Sequence, residues 1–217
     1  LIRYLLSFLL PNYCHICGNK TGSISVLCDK CISTTSLKII KRDIINNIYP
    51  DITIVSGLSY DERARVFLHS IKFDEKRFFI EDIFNKIDIS FLKENNIEII
   101  TYVPLPFDRL LKRGFNQSRV IAGLLSKRLK IKYCGIMNKK KYSMQSKKEH
   151  RVDREKIIVE NPFYLKKRHT DFLKKISSLI IVDDLITTGS TLRAFIDRLK
   201  EINPCLKIFV FTLFYTE

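Results

Sequence analysis

Near the carboxyl-terminal end of this 217-residue chain, two adjacent carboxylates, Asp183 and Asp184, directly follow an apolar run, Leu179-Ile180-Ile181-Val182. After Leu185 and Ile186 comes a small, hydroxyl-rich stretch, Thr187-Thr188-Gly189-Ser190-Thr191. Next is a pattern with Leu192, Phe195, Ile196 and Leu199 on one helical face. The apolar run suits a buried strand, so the acidic pair stands at a strand's carboxyl end and the hydroxyl-rich loop opens a helix. Free N–H groups and the positive end of the helix dipole converge at such a loop, and Gly189 permits close backbone approach, which suits a phosphate. One loop-width away, the carboxylates can accept hydrogen bonds from neighbouring sugar hydroxyls. The ligand that fits both halves is a ribose 5-phosphate.

Two plainer readings compete with this one. The segment could be an ordinary strand-turn-helix whose aspartates cap the turn, or a Walker B strand, which also runs from apolar residues to Asp. The second requires G-x-x-x-x-G-K-[ST] elsewhere, and none of the glycines at 18, 22, 57, 114, 123, 135 and 189 begins one. No G-x-G-x-x-G occurs either, so the phosphate-loop and Rossmann readings fail.

A second charged constellation follows a strand expected over 97–105. Pro104 and Pro106 end that strand, Asn116 can cap the helix carrying Val120, Ile121, Leu124 and Leu125, and between them stand Arg109, Lys112 and Arg113 with Gly114 at a turn. In a doubly wound sheet this loop emerges on the same edge as the Asp183 loop, where its planar guanidinium groups suit a pyrophosphate. A third, residues 139–156, holds eight basic against three acidic residues, with Tyr142 and Gln145 interleaved. It reads as a mobile lid over a phosphorylated ligand, a nucleic-acid contact, or a solvated surface helix.

The cysteines are arranged rather than scattered. Cys14-x-x-Cys17 and Cys28-x-x-Cys31 supply two thiolate pairs, enough for the tetrahedral set that a closed structural zinc site uses. Gly18 lets the first turn fold back toward sulfur. Disulfides and a rubredoxin-like iron site are the alternatives, and His15 inside the first pair is read as a bystander. Cys134 and Cys205 fall on apolar strand patterns and read as inert buried thiols.

Composition places the chain among globular proteins, with 46% hydrophobic and 28% charged residues, and its length allows one full core plus a small appendage. A formal net charge of +15 attracts polyanions such as nucleotides, phosphorylated sugars or nucleic acid. Residues 1–10 are apolar except Arg3 and Ser7. They fall short of the roughly 20 residues that a bilayer requires, and they read as a short helix packing on the cysteine cluster. No integral membrane segment is expected, and a cytoplasmic location is.

From residue 52 onward, strands alternate with helices. Strands are expected at 52–60, 97–105, 131–136, 179–183 and 206–215, and helices at 62–72, 77–95, 116–130 and 192–202. The expected class is α/β, a parallel sheet flanked by helices, in which ligands bind at the carboxyl ends of strands. The expected division is a cysteine-knuckle module at 1–36, a linker with helical pattern at 37–51, and the sheet domain at 52–217.

The stretch from Val182 to Thr191 closely resembles the phosphoribosyl-pyrophosphate (PRPP) signature of type I phosphoribosyltransferases. In that family the acidic pair holds the ribose 2′ and 3′ hydroxyls and the loop wraps the 5′-phosphate. The resemblance implies the same roles for Asp183 and Asp184, and for Thr187, Thr188, Gly189, Ser190 and Thr191. The whole chain is similar to the ComF family. The likeness rests on the C-x-x-C pairs, on V-P-L-x-x-x-R-L-x-x-R-G-F-N-Q at residues 103–117, and on Gln145 with Arg154 and Asn161 ahead of the terminal motif. One departure is a second proline, Pro106, where one is usual.

That resemblance implies a type I phosphoribosyltransferase fold, PRPP bound with Mg²⁺, and Arg109 and Arg113 at the departing pyrophosphate. It also implies a structural zinc on Cys14, Cys17, Cys28 and Cys31. The implied role is in DNA uptake during natural transformation, with single-stranded DNA and a helicase or channel of the competence machinery as partners. The alternative is a phosphoribosyltransferase of nucleotide or small-molecule metabolism. No segment reads as a hood that would choose a base, and none of the histidines at 15, 69, 150 and 169 offers an obvious general base.

Overall fold

The computed structural model describes residues 12–14, 17–21, 28, 30, 38–59, 77–140 and 161–216. Its strands form where isoleucine, valine and phenylalanine run together, because branched and aromatic side chains fit a pleated, buried surface. A two-stranded pair, β1 (Asn12–Tyr13) and β2 (Lys20–Thr21), frames the first cysteine turn. β3 (Lys38–Ile40) and a short helix α1 (Asp43–Asn46) lead to β4 (Thr53–Ser59). Next come α2 (Arg77–Lys86), α3 (Ser90–Lys93), β5 (Ile99–Tyr102), α4 (Phe107–Arg113) and α5 (Gln117–Leu129). An antiparallel pair, β6 (Met137–Lys139) with β7 (Phe163–Leu165), is followed by α6 (Thr170–Lys175). β8 (Ser178–Ile186), α7 (Ser190–Lys200) and β9 (Lys207–Tyr215) complete it.

Five strands form one sheet in the order β3-β4-β9-β8-β5; β3 is antiparallel to β4 and the other neighbours are parallel. Along β8, Leu179 and Ile181 pack on one side with Phe195, Leu199 and Val210. Ile180 and Val182 pack on the other with Phe84, Ile121 and Phe211. Helices therefore cover both faces, which is why the central strands read as unbroken apolar runs rather than alternating ones. Arg128, in the last turn of α5, ties the helices of one layer together. It donates to the carbonyls of Phe84 and Ile87 at 2.8 and 2.9 Å and lies over the Phe84 ring.

The connectivity creates the place for a site. From β5 the chain passes through α5 to Tyr133, which bridges Ile100 on the outer side of β5. It then returns to β8 on the inner side of β5. Strand order reverses between β5 and β8, and a crevice opens at their carboxyl ends.

Several local expectations need correction. The strand expected at 131–136 is a single bridge at Tyr133, held by backbone bonds between Ile100 and Lys132 and between Cys134 and Ile100. Gly135 follows at once, and a Cβ there would lie 2.5 Å from the Tyr102 hydroxyl, so the chain turns instead of pairing further. The helical pattern expected in the 37–51 linker yields a helix only at Asp43–Asn46, because Lys38–Ile40 pairs with β4. The basic loop after β5 is a two-turn helix, α4, which starts directly after Pro106 and stops at Gly114 with φ of 70°. Cys205 is exposed rather than buried. The expected helices at 1–10 and 62–72, His15, Cys31, and residues 141–156 lie outside the described residues.

Candidate functional site

β8 does not stop at the acidic pair. It runs three residues past Asp183, to Ile186, so Asp183 is held in the ladder opposite Thr212 of β9. Asp183 is buried, and its Oδ1 accepts from the Ser118 hydroxyl and from the Asp184 backbone N–H, both at 2.9 Å. Burial and the neighbouring Asp184 charge push its carboxyl up to about 7, against the pull of those two hydrogen bonds and of the Lys139 charge. Asp184 is half-buried beside it.

Thr187, Thr188 and Gly189 form the turn between β8 and α7. Gly189 takes φ of 88°, a left-handed conformation costly for a side chain, and α7 begins with no side-chain cap on it. The Thr188 hydroxyl accepts from the Ser190 N–H at a long 3.4 Å. The amino end of this 11-residue helix, with its positive dipole, therefore faces a recess of about 50 Å³ bordered by Asp183, Thr187, Gly189, Ser190 and Thr191. Behind it, a Cβ on Gly189 would meet Ile45 Cδ1 at 3.1 Å and Ile44 Cγ2 at 3.2 Å, so α1 is seated on the loop's back. Arg193 of α7 donates to the Ile44 carbonyl at 2.8 Å, and Arg42 reaches the Thr216 carbonyl.

Across the crevice, Asn116 closes the segment that follows β5. Its Oδ1 accepts from the Arg119 N–H at 3.2 Å, capping α5 as expected, while its Nδ2 donates to the Val103 carbonyl at 3.0 Å. Val103 in turn donates its N–H to the Val182 carbonyl of β8 at 2.9 Å. The α4 cations are thereby fixed relative to the acidic pair. Arg113 is partly buried; burial disfavours its charge, the nearby Asp184 favours it, and Arg109 opposes it. Lys139, at the end of β6, shows the same pattern with Asp183 as the favouring charge and Arg109 as the opposing one.

The fold thus brings Asp183, Asp184, Arg109, Arg113 and the 187–191 loop to one edge of the sheet. Lys112 is exposed in the last turn of α4. Two residues were missed by sequence reasoning. Ser118 lies just past the 103–117 motif and was not singled out, although a hydroxyl in the first turn of a helix leaving a neighbouring strand is well placed to reach this crevice. Lys139 was assigned to a basic run; its place on a strand near enough for its charge to act on Asp183 had no local signal.

At the other end of the chain, the Sγ atoms of Cys14, Cys17 and Cys28 all lie within 4.8 Å of one another, and Cys17 and Cys28 are 3.6 Å apart. Zinc–sulfur bonds of about 2.3 Å in a tetrahedron put sulfurs about 3.8 Å apart, so this donor set fits a metal ion such as zinc. The turn is shaped for it: Gly18 takes φ of 75° and donates to the Cys14 carbonyl at 2.8 Å, while Cys14 donates to the Asn19 carbonyl at 2.7 Å. Cys14 is buried among the α2 side of the core, so the cluster rests on the sheet layer.

Among the described residues, no helix is long and apolar enough to cross a membrane. No curated protein matches the chain. Residues 116–215 match the family model of the phosphoribosyl transferase domain. The match runs from the α5 cap through β9 and takes in Ser118, Lys139, Asp183, Asp184 and the 187–191 loop. It leaves out Arg109, Arg113 and the cysteine cluster. The chain carries a phosphoribosyl transferase domain over that span, just under half of its length.

Proposed function

We propose that this chain is a ComF-like phosphoribosyltransferase that binds PRPP with Mg²⁺ and works in DNA uptake during natural transformation, in the cytoplasm. The observation that carries the PRPP reading is the pairing of a buried, hydrogen-bonded Asp183 with an uncapped helix amino end across one small recess. The 5′-phosphate sits on the N–H groups and hydroxyls of Thr187, Thr188, Gly189, Ser190 and Thr191. Asp183 and Asp184 accept from the ribose hydroxyls. Arg109 and Arg113 face the pyrophosphate, and Lys139 joins them.

Two adjacent carboxylates, one kept partly protonated by burial, are a donor set that suits a hydrated divalent ion arriving with its phosphate ligand. Mg²⁺, when bound with PRPP, supplies charge neutralisation to the pyrophosphate. The protein's own residues orient the ribose and hold cations where negative charge builds on the leaving oxygen. Positioning and electrostatics carry such a reaction, with no protein base required. Cys14, Cys17 and Cys28, with Cys31, hold a structural zinc. The proposed division is a metal module at 1–36, a linker at 37–51 and the catalytic domain at 52–217, with the metal module packed on the sheet layer through Cys14 and the linker adding β3 to the sheet edge.

Calorimetry with PRPP and Mg²⁺ tests the first half. Replacing Asp183 and Asp184 by Asn should weaken PRPP by at least about tenfold, or about 1.4 kcal/mol, with the fold retained. Unchanged binding in the folded double variant would refute the assignment. For the second half, single-stranded DNA should bind with a log K against log salt slope of about −0.7 per neutralised phosphate. Replacing Lys139, Lys140, Lys141, Lys147 and Lys148 by Ser should flatten it. Pyrophosphate release with a small acceptor and no DNA binding would place the enzyme in metabolism instead.

A further inference from the structure

A cavity of about 670 Å³ is lined in part by the segment from Pro104 to Asn116, and no residue between Asp183 and Thr191 lines it. Its floor is apolar, from Leu105, Phe115, Val120 and Leu124. Two tyrosines, Tyr102 on β5 and Tyr133 at the edge bridge, stand in its wall with ring centroids 6.5 Å apart and planes tilted by 52°. Its rim carries Arg119 and Lys127 on the outer face of α5 and Lys166 after β7, opposed by one acid, Glu81.

Three features set this cavity apart from a surface furrow. Gly135 keeps the Tyr102 ring in place, since any Cβ there would overlap the ring at 2.5 to 2.8 Å. Among the described residues, Arg119, Lys127 and Lys166 form no ion pair. Lys166 is instead pinned by donation to the Gly135 carbonyl at 2.7 Å, and its charge is disfavoured by burial and by Arg168 and Arg119. The repulsion between Lys166 and its neighbours Arg119 and Arg168 is relieved by an anion, and Lys127 adds a third cation to the cavity lining. The tyrosine wall and apolar floor ask in addition for a flat ring, and the volume is that of a drug-sized ligand rather than of a bare phosphate.

We propose that this cavity is a second ligand site that takes a nucleoside 5′-monophosphate, its base against Tyr133 and Tyr102 and its phosphate on Arg119, Lys127 and Lys166. Exposed tyrosine faces stack any base, because every base offers a π-face, and Glu81 can accept from a base amine or a sugar hydroxyl. A neutral apolar ligand would leave the cations unmet, and a metal ion would meet an excess of positive charge.

The test is calorimetry and tyrosine fluorescence with adenosine 5′-monophosphate, uridine 5′-monophosphate, adenosine and inorganic phosphate, on the full chain. Both monophosphates should bind at least tenfold more tightly than adenosine or phosphate alone and should quench tyrosine emission. Tyr133→Ala, and separately the pair Arg119→Gln with Lys127→Gln, should each weaken the monophosphates at least tenfold and leave PRPP affinity within twofold. Tyr133→Phe should retain binding, which separates stacking from a folding defect. The site is refuted if monophosphates fail to bind at millimolar concentration. It is refuted equally if they bind with unchanged affinity in both variants, or if PRPP displaces them competitively. Failure of PRPP itself to bind would remove the function proposed above and leave this site standing.

Discussion

The Ser118 hydroxyl donates to Asp183 Oδ1 at 2.9 Å, joining the first turn of α5 to the end of β8 across 65 positions of sequence. Both atoms are buried, so the bond is made out of competition with water, and it favours the ionised carboxylate against the two influences that oppose ionisation. Ser118 therefore pulls Asp183 toward its charged form, against burial and the Asp184 charge. Ser118→Ala should raise that carboxyl further. PRPP affinity, which the proposed role ties to the ionised form, should rise with pH between 6 and 8 in the parent and shift that rise upward in the variant. Proton release on binding, read by calorimetry in buffers of different ionisation enthalpy, checks it. Identical pH profiles would show that the bond is merely structural.

Asp183 also costs stability. Its carboxyl titrates near 7 in the folded chain and near the ordinary 3.8 when unfolded, so the folded state holds the extra proton between those values. The favourable contribution is complete below about pH 4 and is lost as pH rises through 7. Asp183→Asn keeps both hydrogen bonds available to its oxygen and removes the buried charge. It should stabilise the free protein at pH 8 by about 1–3 kcal/mol and be neutral at pH 4, measured by urea unfolding. A variant less stable than the parent at pH 8 would show that the charge is compensated.

Gly189→Ala tests the loop. A Cβ must be accommodated at φ of 88° and 3.1 Å from Ile45 Cδ1, and Ile45 is fully buried and cannot move aside. The expected loss is about 1–3 kcal/mol in thermal or denaturant unfolding, with a larger proportional fall in PRPP affinity, because relaxation would turn the loop N–H groups out of line. Gly123→Ala provides the contrast. A Cβ there has ordinary contacts of 3.6 Å and beyond to Tyr133, and stability should hold or rise.

Metal analysis should find about one zinc per chain, and Cys17→Ser should remove it. Because Cys14 is buried against the α2 layer, chelation should lower the melting temperature of the whole protein and not only release the first residues. Cobalt substitution reads the ligand count directly. A Cys31→Ser variant should lose intensity in the thiolate-to-cobalt bands if Cys31 completes the set, and none if it does not.

Much of the sheet was legible because both its faces are buried. The run ending at Asp183 has no polar position between Leu179 and Val182, the one ending at Tyr215 has only Thr212 after Lys207, and strand, turn and helix each left their own periodicity. The limits of that legibility are equally physical. Lys38–Ile40 is an edge strand with only Ile40 buried, and three residues give too little pattern to oppose a helical spacing that continues through Ile45 and Ile48. α4 buries none of its residues, and a helix with no buried face writes no amphipathic stripe. Asp183 and Asp184 were marked by spacing alone. Ser118 bonds Asp183, and the Lys139 charge acts on it, through tertiary placement, which no window of sequence contains. The tyrosine cavity is hidden for the same reason: Tyr102 and Tyr133 meet only because a single bridge sets them side by side.

The seating of α1 against Gly189 bears on how far this chain can be cut or transplanted. Arg193 bonds the Ile44 carbonyl, Tyr49 bonds Asp197 at 2.8 Å and stacks beneath Arg193, and β3 covers the outer edge of β4. A fragment starting at Ile52 would keep the matched domain and every residue of the 187–191 loop. It would nevertheless bare a β4 edge ready to pair with another copy, and leave the loop without its floor. The 187–191 loop is contiguous in sequence but not portable.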